Sequence, residues 1–131
     1  MKKLFVSVPM KGRTQEEIKK SIEKMHKIAE IITGEELELI DSVVADRPPV
    51  GGKESVWYLS KSIEFLSQAD LVIGINYGSE WNGCSIEKEI AERYDIPFIS
   101  LRPEWVIDNY RELMEKIHGR SCCEIAPSAG F

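Results

Sequence analysis

The chain has 131 residues, 43% apolar and 30% charged, and a formal net charge of −5. That length suits one domain built on a single core, and the composition excludes both a disordered chain and a membrane-spanning one. The acidic balance argues against a non-specific nucleic-acid binder. The longest apolar run, Leu71 to Ile75, is far shorter than the roughly 20 residues that cross a bilayer.

The opening Met1-Lys2-Lys3-Leu4-Phe5-Val6 stops at Ser7 and Pro9, so it reads as a first strand, Leu4 to Val8, and not as a signal peptide. Thr14 and Glu17 form a capping box, each able to satisfy a free backbone N–H at a helix start. Ile18, Ile22, Met25, Ala29 and Ile32 recur at helical spacing, and Gly34 is a natural stop. Leu37 to Ile40 is a second strand. Val43 to Glu54 carries Pro48, Pro49, Gly51 and Gly52 and reads as a loop.

Ser55 opens the next helix, with Val56, Leu59, Ile63 and Leu66 on its inner face. A third strand starts at Leu71, a helix follows from Ser85 to Tyr94, and Pro97 to Leu101 is a further strand. A last helix is expected from Pro103 to His118, with Trp105, Leu113 and Ile117 apolar. Residues 119–131 are weakly patterned and read either as a flexible tail or as a segment that reaches a neighbouring subunit's site. Strands and helices alternating at this spacing give a parallel sheet covered on both faces. The expected fold is α/β, a single flavodoxin/Rossmann-like three-layer sandwich over residues 1–131 with four to five parallel strands.

Three cysteines, two of them adjacent (Cys122 and Cys123), form neither a disulfide framework nor a metal motif. Reduced thiols in a cytoplasmic protein are the expectation.

In such a sheet ligands bind at the carboxyl ends of the strands, where the winding direction reverses. The loops there would be Pro9-Met10-Lys11-Gly12-Arg13 and Asn76 to Cys84. The first sets a glycine beside two cations at a helix start, which is either an anion cradle or a turn with solvated charges. In the second, Trp81 and Asn82 suit a base, or the tryptophan simply packs.

Helix spacing separates the acids that follow. Glu89 has Arg93 four residues on, and Lys88 has Glu92, which are ordinary solvent-facing pairs. Glu87 has Gly83 and Ala91 at that distance and no local cation. Ile86 and Ile90 mark the buried face, with Glu87 at its border. A glutamate in a first turn also serves the helix dipole, which would keep it ionised as a nucleophile requires. The small neighbours at Gly83 and Ala91 leave room for a ligand. Cys84, at the same helix start, is a weaker alternative nucleophile. Its only histidine partners, His26 and His118, lie in mid-helix and at a helix end.

Residues 3 to 101 resemble the nucleoside 2-deoxyribosyltransferase-like superfamily. The likeness lies in Phe5-Val-Ser-Val-Pro-Met-Lys-Gly-Arg13, in Lys61-Ser-Ile-Glu-Phe-Leu-Ser-Gln-Ala-Asp70 and in Gly83-Cys-Ser-Ile-Glu-Lys-Glu-Ile-Ala91. Gly83, Glu87 and Ala91 match the family's catalytic segment. The resemblance implies that Glu87 attacks the anomeric carbon of a nucleoside or nucleotide and passes the sugar to water or a second base, as carboxylate nucleophiles do in glycoside hydrolysis.

It further implies that no metal or organic cofactor is needed. Ser7, Pro9, Met10, Gly12 and Arg13 would hold the sugar or its 5′-phosphate, and Asn76, Trp81, Asn82 and Gly83 would border the base. Ser62 stands where characterised members carry an aspartate that holds the sugar and protonates the leaving base; a serine cannot do the latter near neutral pH. Glu64 and Tyr58 are the nearby groups able to replace it. Trp81 stands where members acting on monophosphates often have a serine.

These departures support an alternative, a non-catalytic protein that binds or sequesters a nucleotide, because a fold does not guarantee its relatives' chemistry. Relatives form dimers or larger assemblies. Val56, Trp57, Tyr58 and Leu59 offer either a subunit contact or a cover for the chain's own core.

Overall fold

A computed structural model describes residues 1–10, 12–42, 47–75, 82–108 and 110–118, without the side chains of Asn82 and residues 116–118. The elements are β1 (Lys2–Ser7), α1 (Gln15–Thr33), β2 (Leu37–Leu39), α2 (Glu54–Leu66), β3 (Leu71–Ile75), α3 (Asn82–Arg93), β4 (Phe98–Leu101), α4 (Pro103–Val106) and α5 (Tyr110–His118). The four strands form one all-parallel sheet in the order β2-β1-β3-β4. This is a flavodoxin/Rossmann-like three-layer α/β fold, as expected from the alternating pattern.

Strand periodicity sorts the core into two layers. Leu4, Val6, Leu71, Ile73 and Ile75 pack with Met25 and Ala29 of α1 and with Val106 and Ile107 beyond β4. On the other face Phe5 and Val72 pack with Leu66 of α2 and Ala91 of α3. Ala91 is fully buried in this layer. At the far end of the sheet, the Asp70 carboxylate accepts the Lys3 N–H at 2.8 Å and the Asp70 N–H donates to the Lys3 carbonyl at 2.9 Å.

The start of α1 follows from local chemistry. Thr14 accepts from the Glu17 N–H, the Glu17 carboxylate accepts from the Thr14 N–H, and Gly34 closes the helix at φ 70°.

Three expectations are corrected. The helix expected over 103–118 breaks at Ile107, whose extended backbone (φ −108°, ψ 114°) turns its side chain into the core. On α2 the expected inner face holds except at its start: Val56 is 60% exposed, Leu59 and Ile63 are partly buried and Leu66 is buried, with Ser62 buried beside them. Finally, α3 begins at Asn82 and not at Ser85, so no acidic residue lies in its first turn. Glu87 falls beyond the reach of the helix-end dipole argument.

Candidate functional site

β1 and β3 are neighbours from which the chain winds in opposite directions, so the switch point of the sheet, where ligands bind in such folds, lies at their carboxyl ends. Ser7 ends β1 and pairs in register with Gly74 of β3. A Cβ on Gly74 would lie 2.7 Å from the Phe98 Cζ and 3.1 Å from the Ser7 Cβ, so only glycine lets the Phe98 ring and Ser7 approach this closely. Above this floor stands Glu87 of α3.

Glu87 is 2% exposed, while Ile86 beside it is 38% exposed. The expectation that Ile86 faces inward with Glu87 at the border is reversed. The reason is that both carboxylate oxygens find donors. The Ser7 hydroxyl donates to Oε1 at 2.6 Å, and the Ser62 hydroxyl of α2 donates to Oε2. A buried charge so partnered is tolerated where an unpartnered one is not.

Burial pushes the carboxyl up from 4.5 to about 7, and the hydrogen bonds from Ser62 and Ser7 only partly oppose it. The dipole-held ionisation expected from sequence is therefore corrected: desolvation dominates, and the group changes protonation close to neutral pH.

Cys84 is buried on the same helix, and its thiol is pushed up to about 12, mainly by burial and then by the nearby Glu87 charge. That excludes a reactive thiolate at neutral pH, whatever helix end it stands on. His26 is engaged elsewhere, its Nε2 lying 2.8 Å from the Leu37 carbonyl oxygen.

The loop after β1 is turned on itself. The Arg13 N–H donates to the Met10 carbonyl at 3.1 Å, with Gly12 at φ 79°. The Arg13 guanidinium donates to the carbonyls of Pro9 at 2.9 Å and Glu17 at 3.2 Å, and to the Ser21 hydroxyl. These bonds brace the loop against α1, with the guanidinium close enough to Cys84 to act on its titration. Ser7 and Pro9 are buried, Met10 packs partly against the core, and Gly83 is buried at the start of α3.

Of the expected site residues, Ser7, Ser62 and Glu87 are thus in direct contact, a constellation the sequence did not announce. Asn76 and Trp81 lie outside the described residues, as do Lys11 and the side chain of Asn82. Glu64, one suggested replacement acid, is exposed and sits 3.5 Å from the Lys61 ammonium. Tyr58 is 38% exposed and makes an edge contact with Trp57. The Glu89–Arg93 pair is present at 3.6 Å.

Among the described residues no group of three or more His, Cys, Asp or Glu side chains could hold a metal, and no helix is long and apolar enough to cross a membrane. No family model, curated protein or solved structure matches the chain.

Proposed function

We propose that the protein cleaves the N-glycosidic bond of a nucleoside or nucleoside 5′-monophosphate, with Glu87 as nucleophile, as the resemblance to the nucleoside 2-deoxyribosyltransferase-like superfamily implies. One observation carries this reading: a carboxyl buried to 2% exposure at the carboxyl ends of the two central strands, poised to change protonation at about 7. Perturbed carboxyls in such clefts are the usual equipment of acid, base and nucleophilic chemistry.

In this mechanism the ionised Glu87 attacks the anomeric carbon and forms a glycosyl ester. The base leaves with the bonding electron pair and takes a proton from solvent. Water then adds at the anomeric carbon, giving up a proton, and the carboxylate departs unchanged. If a second base takes the place of water, the outcome is transfer. Pro9, Met10, Gly12 and Arg13 would face the sugar or its phosphate.

A second reading is favoured by a different observation. Both Glu87 oxygens already accept hydroxyl hydrogen bonds, which suits a fixed acceptor for a ribose hydroxyl in a protein that binds a nucleotide without cutting it. Incubation with a panel of nucleosides and 5′-monophosphates, followed by chromatography for free base, separates the two. Tight binding by calorimetry with no base released would sink the enzyme reading.

If base is released, Glu87→Ala should abolish it and Glu89→Ala should leave most of it. Equal losses would mean the wrong acid was chosen. Self-association belongs to the same proposal and is read by sedimentation equilibrium.

A further inference from the structure

Ser7 and Ser62 stand in the sequence as substrate contacts, yet both hydroxyls are committed to Glu87. A serine hydroxyl has one proton. At Ser7 that proton goes to Oε1, 2.6 Å away.

Ser62 reaches the other oxygen from α2. The two donors come from different elements: Ser7 from a central strand bonded on both edges, Ser62 from a helix on the face that α3 shares. A glutamate on one helix turns about three side-chain torsions, and bonds from two independent elements fix all of them at once.

We infer that Ser7 and Ser62 are positioning residues for Glu87, each holding one carboxylate oxygen, and that neither is a substrate contact. Its kinetic consequence rests on the nucleophile role proposed above; the clamp itself does not. Hydrogen bonds to the charged form also favour ionisation, so the clamp keeps a carboxylate in a place where burial alone would hold it protonated.

The groups facing Glu87 are Ser7 from β1, Ser62 from α2 and Cys84 from its own helix, with the Arg13 guanidinium of the β1–α1 turn acting on Cys84 behind them. Among the described residues, no charged side chain contributes to the shift of Glu87.

The test follows the Glu87 side-chain carboxyl by carbon NMR across a pH titration of the full chain, the resonance being assigned by its loss in Glu87→Gln. Ser7→Ala and Ser62→Ala should each raise the midpoint by roughly half a pH unit or more, and Ser7→Thr and Ser62→Thr, which keep the hydroxyl, should restore it. An unmoved midpoint in both alanine variants overturns the clamp. Should either alanine variant fail to fold, Ser7→Cys and Ser62→Cys, weaker donors of similar size, should give a smaller rise.

With a nucleotide that is turned over, the alanine variants should lose kcat about tenfold or more while KM stays within about threefold. A raised KM at preserved kcat overturns the inference and restores both serines as substrate contacts. Absence of turnover in the unaltered protein defeats the proposed reaction, and the titration still decides the clamp.

Discussion

Ser7 and Gly74 stand opposite one another in the β1–β3 register, and the missing side chain at Gly74 is what admits the Phe98 ring beside Ser7. A Cβ at Gly74 would meet the Phe98 ring at 2.7 Å and Ser7 at 3.1 Å, and Ser7 in turn donates to the Glu87 carboxylate. Gly74→Ala should therefore destabilise the protein by about 1–3 kcal/mol, the usual cost of overpacking a close-packed core. Urea unfolding reads this directly. In a Phe98→Leu background the added methyl should cost clearly less, because the clashing atom is gone. An unchanged cost would place the strain elsewhere.

Glu87 also gives stability a definite pH slope. Its carboxyl lies at about 7 in the folded chain against 4.5 ordinarily. Between those values the folded state keeps a proton that the unfolded chain has released. Stability therefore falls as pH rises: the contribution is complete below about 4.5 and gone above about 7. At about 1.4 kcal/mol per pH unit, the difference is on the order of 3 kcal/mol. Glu87→Gln keeps the shape and cannot ionise, and a Ser hydroxyl can turn to accept its amide. Denaturant unfolding at pH 5 and pH 8 should show a steep loss in the unaltered protein and little in the variant. Parallel slopes would refute this assignment.

The same carboxyl sets the expected rate profile. A nucleophile must be ionised, so kcat/KM for base release should rise from the acid side with a midpoint close to 7. A limb near the ordinary carboxylate value would show that Glu87 is solvated when it reacts.

Cys84 should be inert. Its thiol is buried and shifted to about 12. With Cys122 and Cys123 replaced by serine, a small thiol reagent at about pH 8 should modify the native protein at least a hundredfold more slowly than the denatured chain. Comparable rates in the two states would disprove the burial.

The capping box offers a local control away from the site. Thr14→Ala removes the acceptor for the Glu17 N–H, 3.1 Å away, and should cost about 1 kcal/mol. Thr14→Ser should cost a few tenths at most, since the hydroxyl remains. Both are read from the midpoint of urea unfolding, and a free Thr14→Ala would mean that the cap is redundant.

The features legible in the sequence are local ones. The layered α/β fold follows from apolar periods of two and of 3.6 residues, and the ends of α1 follow from residues three or four positions apart: Thr14 with Glu17, and Gly34 with Glu30. Glu87 could be singled out because helix spacing assigned Glu89 to Arg93.

Three-dimensional packing decided the rest. Glu87 is buried because Ser7, 80 residues earlier, and Ser62, 25 residues earlier, bring it the donors it needs; no periodicity carries that information. The break at Ile107 belongs to the same class. In each, the free energy of burying or satisfying one side chain against distant partners outweighs the few tenths of a kcal/mol that local propensity commands.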